Sequence, residues 1–249
     1  MAGVDVCGLT KEYRLPDRTL AALQGFSASF DDGSFTVIVG RSGCGKTTLL
    51  RLLSGLEEKD GGEIRWKQTG RPAKVGIVFQ EPRLLPWLTV GENMLFSQTS
   101  AAAANKAQLL EQYLQLLRLE PFRDAYPAQL SGGMAQRVSL GRTLCYEPDL
   151  ILMDEPFGAL DYFTRRHLQQ ELSELFLSQK KTVIFVTHDV SEAAYLGQRV
   201  LVLDAGRLVG EVPIHATYPR NPLSAELLSA QQQILDLLGG QTRRKMEVL

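Results

Sequence analysis

The chain has 249 residues, of which 44% are hydrophobic and 22% charged, and its formal net charge is -1. This length suits one large domain, or one domain with a subdomain, and argues against two independent domains. The composition excludes a disordered chain and a strongly basic nucleic-acid surface, and three cysteines without a CxxC pattern exclude a disulfide framework or a zinc site of that type.

Three strands are predicted first, at 4–13, 21–30 and 35–40, with a turn at 31–33 before the third. A helical pattern follows from Lys46 to Leu56, then a hairpin at 61–70 and a buried strand at 74–80. The first residues lack the basic and apolar regions of a signal peptide, and no apolar run approaches the roughly 20 residues that span a bilayer. We therefore expect a protein of the reducing cytosol that does not itself cross a membrane.

From about residue 90 to 130 the pattern is helical and more polar, which predicts a helical subdomain. Further on, helices at about 133–146, 162–178 and after 187 alternate with strands at 150–154, 182–187 and 199–204. This alternation predicts a parallel sheet with both faces covered. The tail is predicted to be an amphipathic helix that packs on the body, with an apolar stripe of Leu223, Leu227, Ala230, Ile234 and Leu238.

A phosphate-binding loop is predicted at residues 40–47, GRSGCGKT, which fit G-x-x-x-x-G-K-[ST] between a strand and a helix. Glycines allow such a loop to curl so that backbone N–H groups converge on phosphates at the helix N-terminus. Lys46 is expected to neutralise the β and γ phosphates, Thr47 to bind Mg²⁺ and Thr48 to contact the α-phosphate. The predicted ATP-binding residues of this loop are Gly40, Ser42, Gly43, Cys44, Gly45, Lys46, Thr47 and Thr48.

Two acids, Asp154 and Glu155, end the hydrophobic strand at 150–154. A carboxylate at the carboxyl end of a parallel strand lies where Mg²⁺ and a nucleotide meet. We expect Asp154 to hold Mg²⁺ through water and Glu155 to act as the general base. The alternative is a pair of exposed acids before a turn, which the phosphate-binding loop makes less attractive.

The segment LSGGM, residues 130–134 and called the signature segment below, precedes a helix. Its serine and two glycines form a second helix N-terminus able to bind an anion, or simply a Ser cap with a flexible entry. If it binds phosphate, the chain has two phosphate-binding segments far apart in sequence, and the presence of the second requires an explanation.

Taken together, these motifs resemble an ABC-type ATPase domain, and the resemblance covers Val4 to about Gly210. The motifs are the phosphate-binding loop, Gln80, residues 130–137, 154–156, 159–161 and 187–189. It implies an α/β P-loop NTPase fold, a RecA-like parallel or mixed sheet with an antiparallel β subdomain and an inserted α-helical subdomain. Residues 1–86 and 148–210 would be the catalytic core with the β subdomain, about 87–147 the helical subdomain with the signature segment, and 211–249 a helical tail.

The resemblance also implies a head-to-tail homodimer that sandwiches two ATP molecules between one subunit's phosphate-binding loop and the other's signature segment. Within that segment, the residues implied to reach the γ-phosphate of the partner's ATP are Ser131, Gly132 and Gly133. His188 would contact the γ-phosphate of its own subunit, Asp161 would couple the two sites, and Gln80 would approach Mg²⁺ and the attacking water. Tyr13 matches the aromatic residue that stacks on adenine.

Four residues depart from the family pattern, occupy a free position in it or match nothing in it. Met134 stands where many members carry Gln, and a thioether donates no hydrogen bond, yet we expect activity to survive. Cys44 occupies a free loop position and is expected to be a tolerated residue that remains sensitive to alkylation at a helix N-terminus. The other two histidines, His167 and His215, are expected on the surface.

The apolar loop Glu81 to Trp87 follows Gln80 directly and contains two prolines. In the family this junction forms the groove that receives a short helix of the membrane permease. Leu84, Leu85 and Trp87 are then apolar anchors, with Glu81 and Arg83 as a polar rim. The alternative is that they pack the helical subdomain against the core, and the two interpretations are compatible.

Residues 79–94, FQEPRLLPWLTVGENM, further resemble ATP-binding subunits of nitrate, sulfonate, taurine and related anion importers, although the stretch DAGRLVGEVPI differs from the subgroup's ending. The resemblance implies a peripheral ATPase on the cytoplasmic face of the cell membrane, with separate permease subunits and, indirectly, a substrate-binding protein. The alternatives are an exporter or lipid-handling ATPase, and a soluble ABC ATPase acting on nucleic acid or ribosomes. We expect no nucleic-acid partner, because the charge is near neutral.

Overall fold

A computed structural model of the chain describes residues 3–67, 73–98, 103–158 and 160–246. The strands are β1 (Val4–Arg14), β2 (Thr19–Phe30), β3 (Phe35–Val39), β4 (Gly61–Trp66), β5 (Val75–Val78), β6 (Leu150–Asp154), β7 (Thr182–Thr187), β8 (Arg199–Asp204) and β9 (Arg207–Pro213). The α-helices are α1 (Lys46–Leu53), α2 (Val90–Leu95), α3 (Ala103–Leu116), α4 (Gly132–Cys145), α5 (Tyr162–Ser178), α6 (Val190–Leu196) and α7 (Ala225–Met246).

The larger sheet has the strand order β5-β6-β7-β3-β8-β9. Its first five strands are parallel, as predicted, because each is joined to the next in the chain through at least one helix. β9 differs from the prediction, in which the last strand ends at Asp204. It pairs antiparallel with β8 through a two-residue turn in which Ala205 and Gly206 both have positive φ, a turn that favours hairpins.

The smaller sheet is antiparallel, with the order β2-β1-β4. The predicted hairpin at 61–70 is wrong for its described part, because Gly61–Trp66 is a single strand that pairs with β1. Its remaining residues, 68–70, lie outside the described part of the chain. Gly62, near the start of this strand, has φ +82°, a conformation that glycine adopts without strain.

The hydrophobic core lies on both faces of the larger sheet, because successive side chains of a buried strand point to opposite sides. On one face, Ile38, Ile184 and Leu201 pack with α1 and the antiparallel sheet. On the other, Val37, Phe185 and Val200 pack with residues from α2 to α7. The prediction of a sheet covered on both faces is therefore confirmed.

The tail helix α7 packs on the body through Leu227, Ala230 and Ile234, as the amphipathic pattern predicted. Leu223 does not belong to that stripe, since it lies before the helix and is 79% exposed. The subdivision at about 86/87, 147/148 and 210/211 remains a prediction. In the described part of the chain, no helix combines the length and apolar character needed to cross a membrane.

Candidate functional site

The candidate site lies at one edge of the larger sheet, where the carboxyl ends of neighbouring parallel strands meet. β6, β7 and β3 are adjacent, and they are followed by Glu155, His188 and the phosphate-binding loop respectively. β5 is next to β6 and leads to the exposed Gln80. Strand order therefore brings together residues that are more than 100 positions apart in the sequence, as expected for ligand sites in open α/β sheets.

Glycines shape the phosphate-binding loop at two points where a side chain has no room. Gly45, which precedes α1, has φ +106°, and a Cβ there would lie 2.2 Å from the carbonyl oxygen of Ala22. A Cβ on Gly40 would lie 2.3 Å from the carbonyl oxygen of Leu203. The loop can therefore lie against β2 and β8 before α1 begins. The N-terminus of α1 then lies at the carboxyl ends of the parallel strands.

Lys46 is buried within the loop, where Nζ donates to the carbonyl oxygens of Gly40 (2.8 Å) and Arg41 (3.2 Å). These bonds use two of the three ammonium hydrogens. The Tyr13 hydroxyl donates to Glu57 Oε2 (2.9 Å) and lies 3.4 Å from Thr48 Oγ1 on the first turn of α1. The two predicted nucleotide contacts, Tyr13 and Thr48, are thus next to each other.

The expectation that Cys44 is sensitive to alkylation is wrong. Its side chain is only 5% exposed and packs beneath the loop with the α1 core, not into the phosphate cradle. Burial raises the pKa of the thiol, although Lys46 partly opposes this, and the thiolate is the reactive form. Its backbone N–H donates to the carbonyl oxygen of Arg41 at 3.2 Å, so Cys44 contributes to loop shape.

Asp154 is buried at the end of β6 and is hydrogen-bonded to the Thr47 hydroxyl. Burial raises the pKa of its carboxyl group, and the neighbouring Glu155 adds to the effect, while Thr47 and Lys46 oppose it. A buried carboxylate beside a hydroxyl is an oxygen donor pair of the kind that Mg²⁺ prefers. These two residues therefore fit the predicted metal ion by their chemistry.

Glu155 and His188, two of the proposed catalytic groups, are hydrogen-bonded to each other. His188 Nδ1 lies 2.9 Å from Glu155 Oε2, and the backbone N–H of Glu155 donates to the carbonyl oxygen of Val186 (3.0 Å). Glu155 also has φ +47°, a conformation that is uncommon for non-glycine residues and is concentrated at functional sites. Because an ionised carboxylate only accepts, His188 Nδ1 is the donor when Glu155 is ionised.

The signature segment leads into α4, and Ser131 caps that helix by accepting a hydrogen bond from the backbone N–H of Met134 (3.3 Å). Ser131 and Gly132 are exposed, and a Cβ on Gly132 would meet nothing within 4 Å. Asp161 caps α5 in the same way, through the backbone N–H of Thr164 (3.0 Å). Ala159 lies outside the described residues.

Different residues of the 81–87 loop fit the two interpretations given above. Leu84 packs against the core, as the packing interpretation requires, whereas Trp87 is 68% exposed, as an anchor for a partner would be. Glu81 and Arg83 are also exposed. Beside the loop, a groove of about 410 Å³ is lined by Phe79, Phe96, Arg142 and Tyr146 among others.

Three polar side chains that hold the 79–89 segment were not identified in the sequence. The fully buried Asn93 accepts from the backbone N–H of Leu85 (2.9 Å) and donates to three carbonyl oxygens of the loop, those of Leu85, Leu88 and Thr89. From α4, Gln136 donates to the carbonyl oxygen of Phe79 (2.9 Å), and Arg142 donates to those of Pro82 and Arg83. Gln136 lies in the 130–137 motif, but no local pattern marks Asn93 or Arg142 or gives the loop contacts of any of the three, because each meets its partner through the tertiary fold.

Comparison with known families gives one family model, described as ABC transporter, which matches residues 23–158. Among curated proteins, the aliphatic sulfonates import ATP-binding protein SsuB of Bacillus subtilis (strain 168) is 41% identical, covering 90% of this chain and 90% of that protein. SsuB of Bacillus cereus is 38% identical, with coverage of 93% and 94%. An uncharacterized ABC transporter ATP-binding protein of Methanocaldococcus jannaschii is 40% identical, with coverage of 96% and 92%.

Among solved structures, the chain is similar to a dimeric ATP-binding cassette in a post-hydrolysis state, bound to ADP and Pi. The TM-score is 0.76 at 31% sequence identity, and the alignment covers 86% of this chain and 100% of that one. A dimeric structure of a bacterial ABC transporter cassette aligns with a TM-score of 0.77 at the same identity. The predicted fold class is confirmed by these likenesses.

Proposed function

The chain belongs to the ABC transporter family of ATPases, and from that membership we propose that it is the ATP-hydrolysing subunit of a bacterial importer. The observation that carries the proposal is the pair Glu155 and His188, 2.9 Å apart, beside the phosphate-binding loop. A carboxylate oriented by an imidazole at this edge suits a general base that acts on water next to a phosphate.

The residues of the site have separable roles in this proposal. Backbone N–H groups of the loop bind the phosphates, and Lys46 exchanges the carbonyl oxygens of Gly40 and Arg41 for phosphate oxygens. Glu155 accepts the proton of the attacking water. In its protonated form His188 donates from Nδ1 to Glu155 and from Nε2 to the γ-phosphate, which fixes the distance between base and phosphate.

Thr47 and Asp154 would hold Mg²⁺, with Gln80 approaching from the end of β5. When bound, the ion neutralises charge on the phosphates. The protein contributes the buried carboxyl group of Asp154, whose pKa is raised by burial. A nearby dication acts in the opposite direction, because its positive charge favours the ionised form of the carboxyl group. Tyr13 would stack on adenine, since its hydroxyl group already lies beside Thr48 at the loop.

We propose that two copies associate head to tail around two ATP molecules. The exposure of Ser131 and Gly132 supports this arrangement, because the N-terminus of α4 is then available to the γ-phosphate held by the partner. ADP lacks that phosphate, so only ATP completes the contact. Asp161, at the N-terminus of α5, is the residue proposed to couple the two sites.

The proposed permease contact is the 81–87 loop together with the neighbouring groove. Trp87 supplies an exposed aromatic anchor, and Phe79, Phe96 and Tyr146 line an apolar groove suited to an amphipathic helix. Arg142 ties the loop to α4, the helix that begins at the signature segment. A movement of α4 on ATP binding would thus reach the permease directly.

The cargo we propose is a small organic anion such as an aliphatic sulfonate or taurine, or nitrate, taken up with the help of a substrate-binding protein. The printed names of the SsuB relatives support the sulfonates. The subunit would work at the cytoplasmic face of the cell membrane. Cells lacking the gene should fail to grow on an alkanesulfonate as the sole sulfur source, and the parent gene but not a Glu155→Gln copy should restore growth.

The test of the composite ATP site is the mass of purified Glu155→Gln protein, measured by light scattering with ATP or ADP. Because this variant binds ATP without hydrolysing it, we expect a dimer with ATP and a monomer with ADP. Glu120→Gln, a matched change at an exposed residue, should retain the parent's turnover. A second change, Ser131→Arg, should abolish the ATP-dependent dimer.

Two results would contradict the proposal. Turnover of Glu155→Gln close to that of the parent would remove Glu155 from the role of general base. A monomer with either nucleotide, in protein that still binds ATP, would contradict the head-to-tail site.

A further inference from the structure

A fully buried hydrogen bond joins α5 to α6 behind the candidate site. Gln169 Nε2 donates to Glu192 Oε1 at 2.7 Å, and the two residues are only 2% and 7% exposed. The mechanism proposed above uses neither side chain. A buried carboxyl group is costly unless its oxygens are well partnered, and two apolar residues would fill the same space without that cost.

The second partner of Glu192 lies next to a proposed catalytic residue. The Thr187 hydroxyl is hydrogen-bonded to the Glu192 carboxyl, and Thr187 is the last residue of β7, directly before His188. The same hydroxyl accepts from the backbone N–H of Asp189 at 3.0 Å. Glu192 therefore fixes the chain immediately before His188 and, through Thr187, immediately after it.

The other end of the arrangement is α5, which is capped by Asp161 and carries Gln169 about two turns after that cap. Because a helix of this length moves as a rigid unit, a displacement of Asp161 is passed to Gln169. The charges around the carboxyl group are few. Burial raises the pKa of Glu192, Asp189 adds to the effect, and the hydrogen bonds from Thr187 and Gln169 and the charge of Arg165 oppose it.

We propose that Glu192 is a positioning residue that, together with Gln169, links the helix beginning at Asp161 to the turn that carries His188. A partner subunit that displaces the N-terminus of α5 then moves His188 relative to Glu155. The inference rests on the proposed function, because it takes the roles of His188 and Asp161 from there. Neither Glu192 nor Gln169 contacts the nucleotide, so their effect belongs to the rate of the reaction and not to ATP binding.

The experiment exchanges the two partners. Gln169→Glu places two carboxyl groups against each other, and we expect kcat to fall about 10-fold or more while KM for ATP stays within about 2-fold, since a small misplacement of a catalytic group costs rate. The double variant Gln169→Glu, Glu192→Gln restores one donor and one acceptor, and it should return kcat to within about 3-fold of the parent. Gln170→Glu makes the same change at the neighbouring exposed position and should keep the parent's kcat.

Parent-like kcat in Gln169→Glu overturns the inference, and so does a double variant that has the parent's thermal midpoint but no recovered kcat. If Gln169→Glu does not fold, Gln169→Leu, which removes the donor without adding charge, should show the same loss of kcat at unchanged KM, and parent-like kcat there overturns the inference. His188→Ala is measured in parallel. Parent-like turnover in that variant contradicts the proposed function itself, whereas its loss beside an active Gln169→Glu contradicts only the positioning role.

Discussion

At the residue scale, the candidate site contains a carboxyl group, that of Asp154, whose burial destabilises the folded protein. Asp154 is buried and its pKa is raised, chiefly by burial. An acid with a raised folded pKa destabilises the folded state at pH above that pKa, and the cost disappears as the pH falls below the unfolded value of about 3.9. Function and stability therefore make opposite demands on this position.

The first prediction is that Asp154→Asn stabilises the nucleotide-free protein while it inactivates the enzyme. Near pH 7.5 we expect the free energy of unfolding to rise by about 0.5–2 kcal/mol, and turnover to fall about 100-fold or more. The gain should shrink as the pH is lowered through the folded pKa of Asp154. Urea unfolding at several pH values measures it, with the exposed Asp124→Asn as the control, and a destabilised Asp154→Asn protein would contradict the argument.

The second prediction concerns the three cysteines, of which only Cys7 is exposed. Burial raises the pKa of Cys44, and raises that of Cys145 to about 12. N-ethylmaleimide at pH 7 should therefore modify one thiol in the native protein and three after denaturation, as counted by mass spectrometry. Modification of Cys44 in the native protein would show that the loop opens.

The residues of the candidate site could be predicted as a group because their motifs are contiguous in the sequence. The phosphate-binding loop needs its glycines, Lys46 and Thr47 at fixed spacing, and Asp154 follows a buried strand. The sequence did not reveal Glu192 and Gln169, which are 23 positions apart and meet only after α5 and α6 pack. Reactivity of Cys44 was misjudged because burial outweighed the helix N-terminus.

At the scale of single elements, polar side chains of α2 and α4 hold the 79–89 segment, which precedes both helices. Asn93 on α2 makes four hydrogen bonds to loop backbone groups, and Arg142 on α4 makes two more. The loop is irregular because Pro82 and Pro86 prevent regular structure. Side chains of α2 and α4 thus replace the backbone hydrogen bonds that a strand or helix would provide.

The third prediction is that Asn93→Ala destabilises the protein by about 2–4 kcal/mol, because it leaves several buried backbone groups without partners. Asn105→Ala, at an exposed position on α3, should change the free energy of unfolding by less than about 0.5 kcal/mol. Chemical denaturation of both variants gives the comparison. Equal effects would mean that water replaces Asn93 in the loop.

Most elements could be predicted from periodicity, and α5 begins and ends at the predicted residues. β9 and the single strand β4 could not. The turn before β9 has no Asn-Gly or Asp-Gly signal, and β4 pairs with β1, about 50 positions earlier in the chain. Pairing partners are decided by the whole sheet and not by a local pattern.

At the scale of the whole molecule, α7 packs against the far side of the core from α1. The buried Arg220, which precedes α7, donates from one guanidinium nitrogen to the carbonyl oxygens of Ala194, Tyr195 and Gly197 at the end of α6. It therefore fixes the start of the tail to the helix that follows His188. The tail packs on the body, as its amphipathic pattern predicted.

The fourth prediction uses two neighbours on α7 that face opposite ways. Ile234 is fully buried and Leu235 is 49% exposed. Ile234→Ala should lower the free energy of unfolding by about 2–5 kcal/mol, and Leu235→Ala by less than about 1 kcal/mol. Thermal and urea unfolding provide the measurement, and a small effect of Ile234→Ala would show that the tail stabilises little.

Among the residues that the structure describes, the strand β5 lies at the edge of the larger sheet and pairs with β6 alone. Just before these strands, the backbone N–H of Lys74 donates to Asp149 Oδ2 (2.9 Å) and that of Asp149 donates to the carbonyl oxygen of Lys74 (2.8 Å). The two ends of the segment 75–148 are therefore held together by the hydrogen-bonded pair Lys74 and Asp149. In evolutionary terms, a single recombination could replace this stretch, with its loop, groove and signature segment, and leave the interior strands in register. Grafting it between related chains would exchange the proposed permease contact without changing the interior strands.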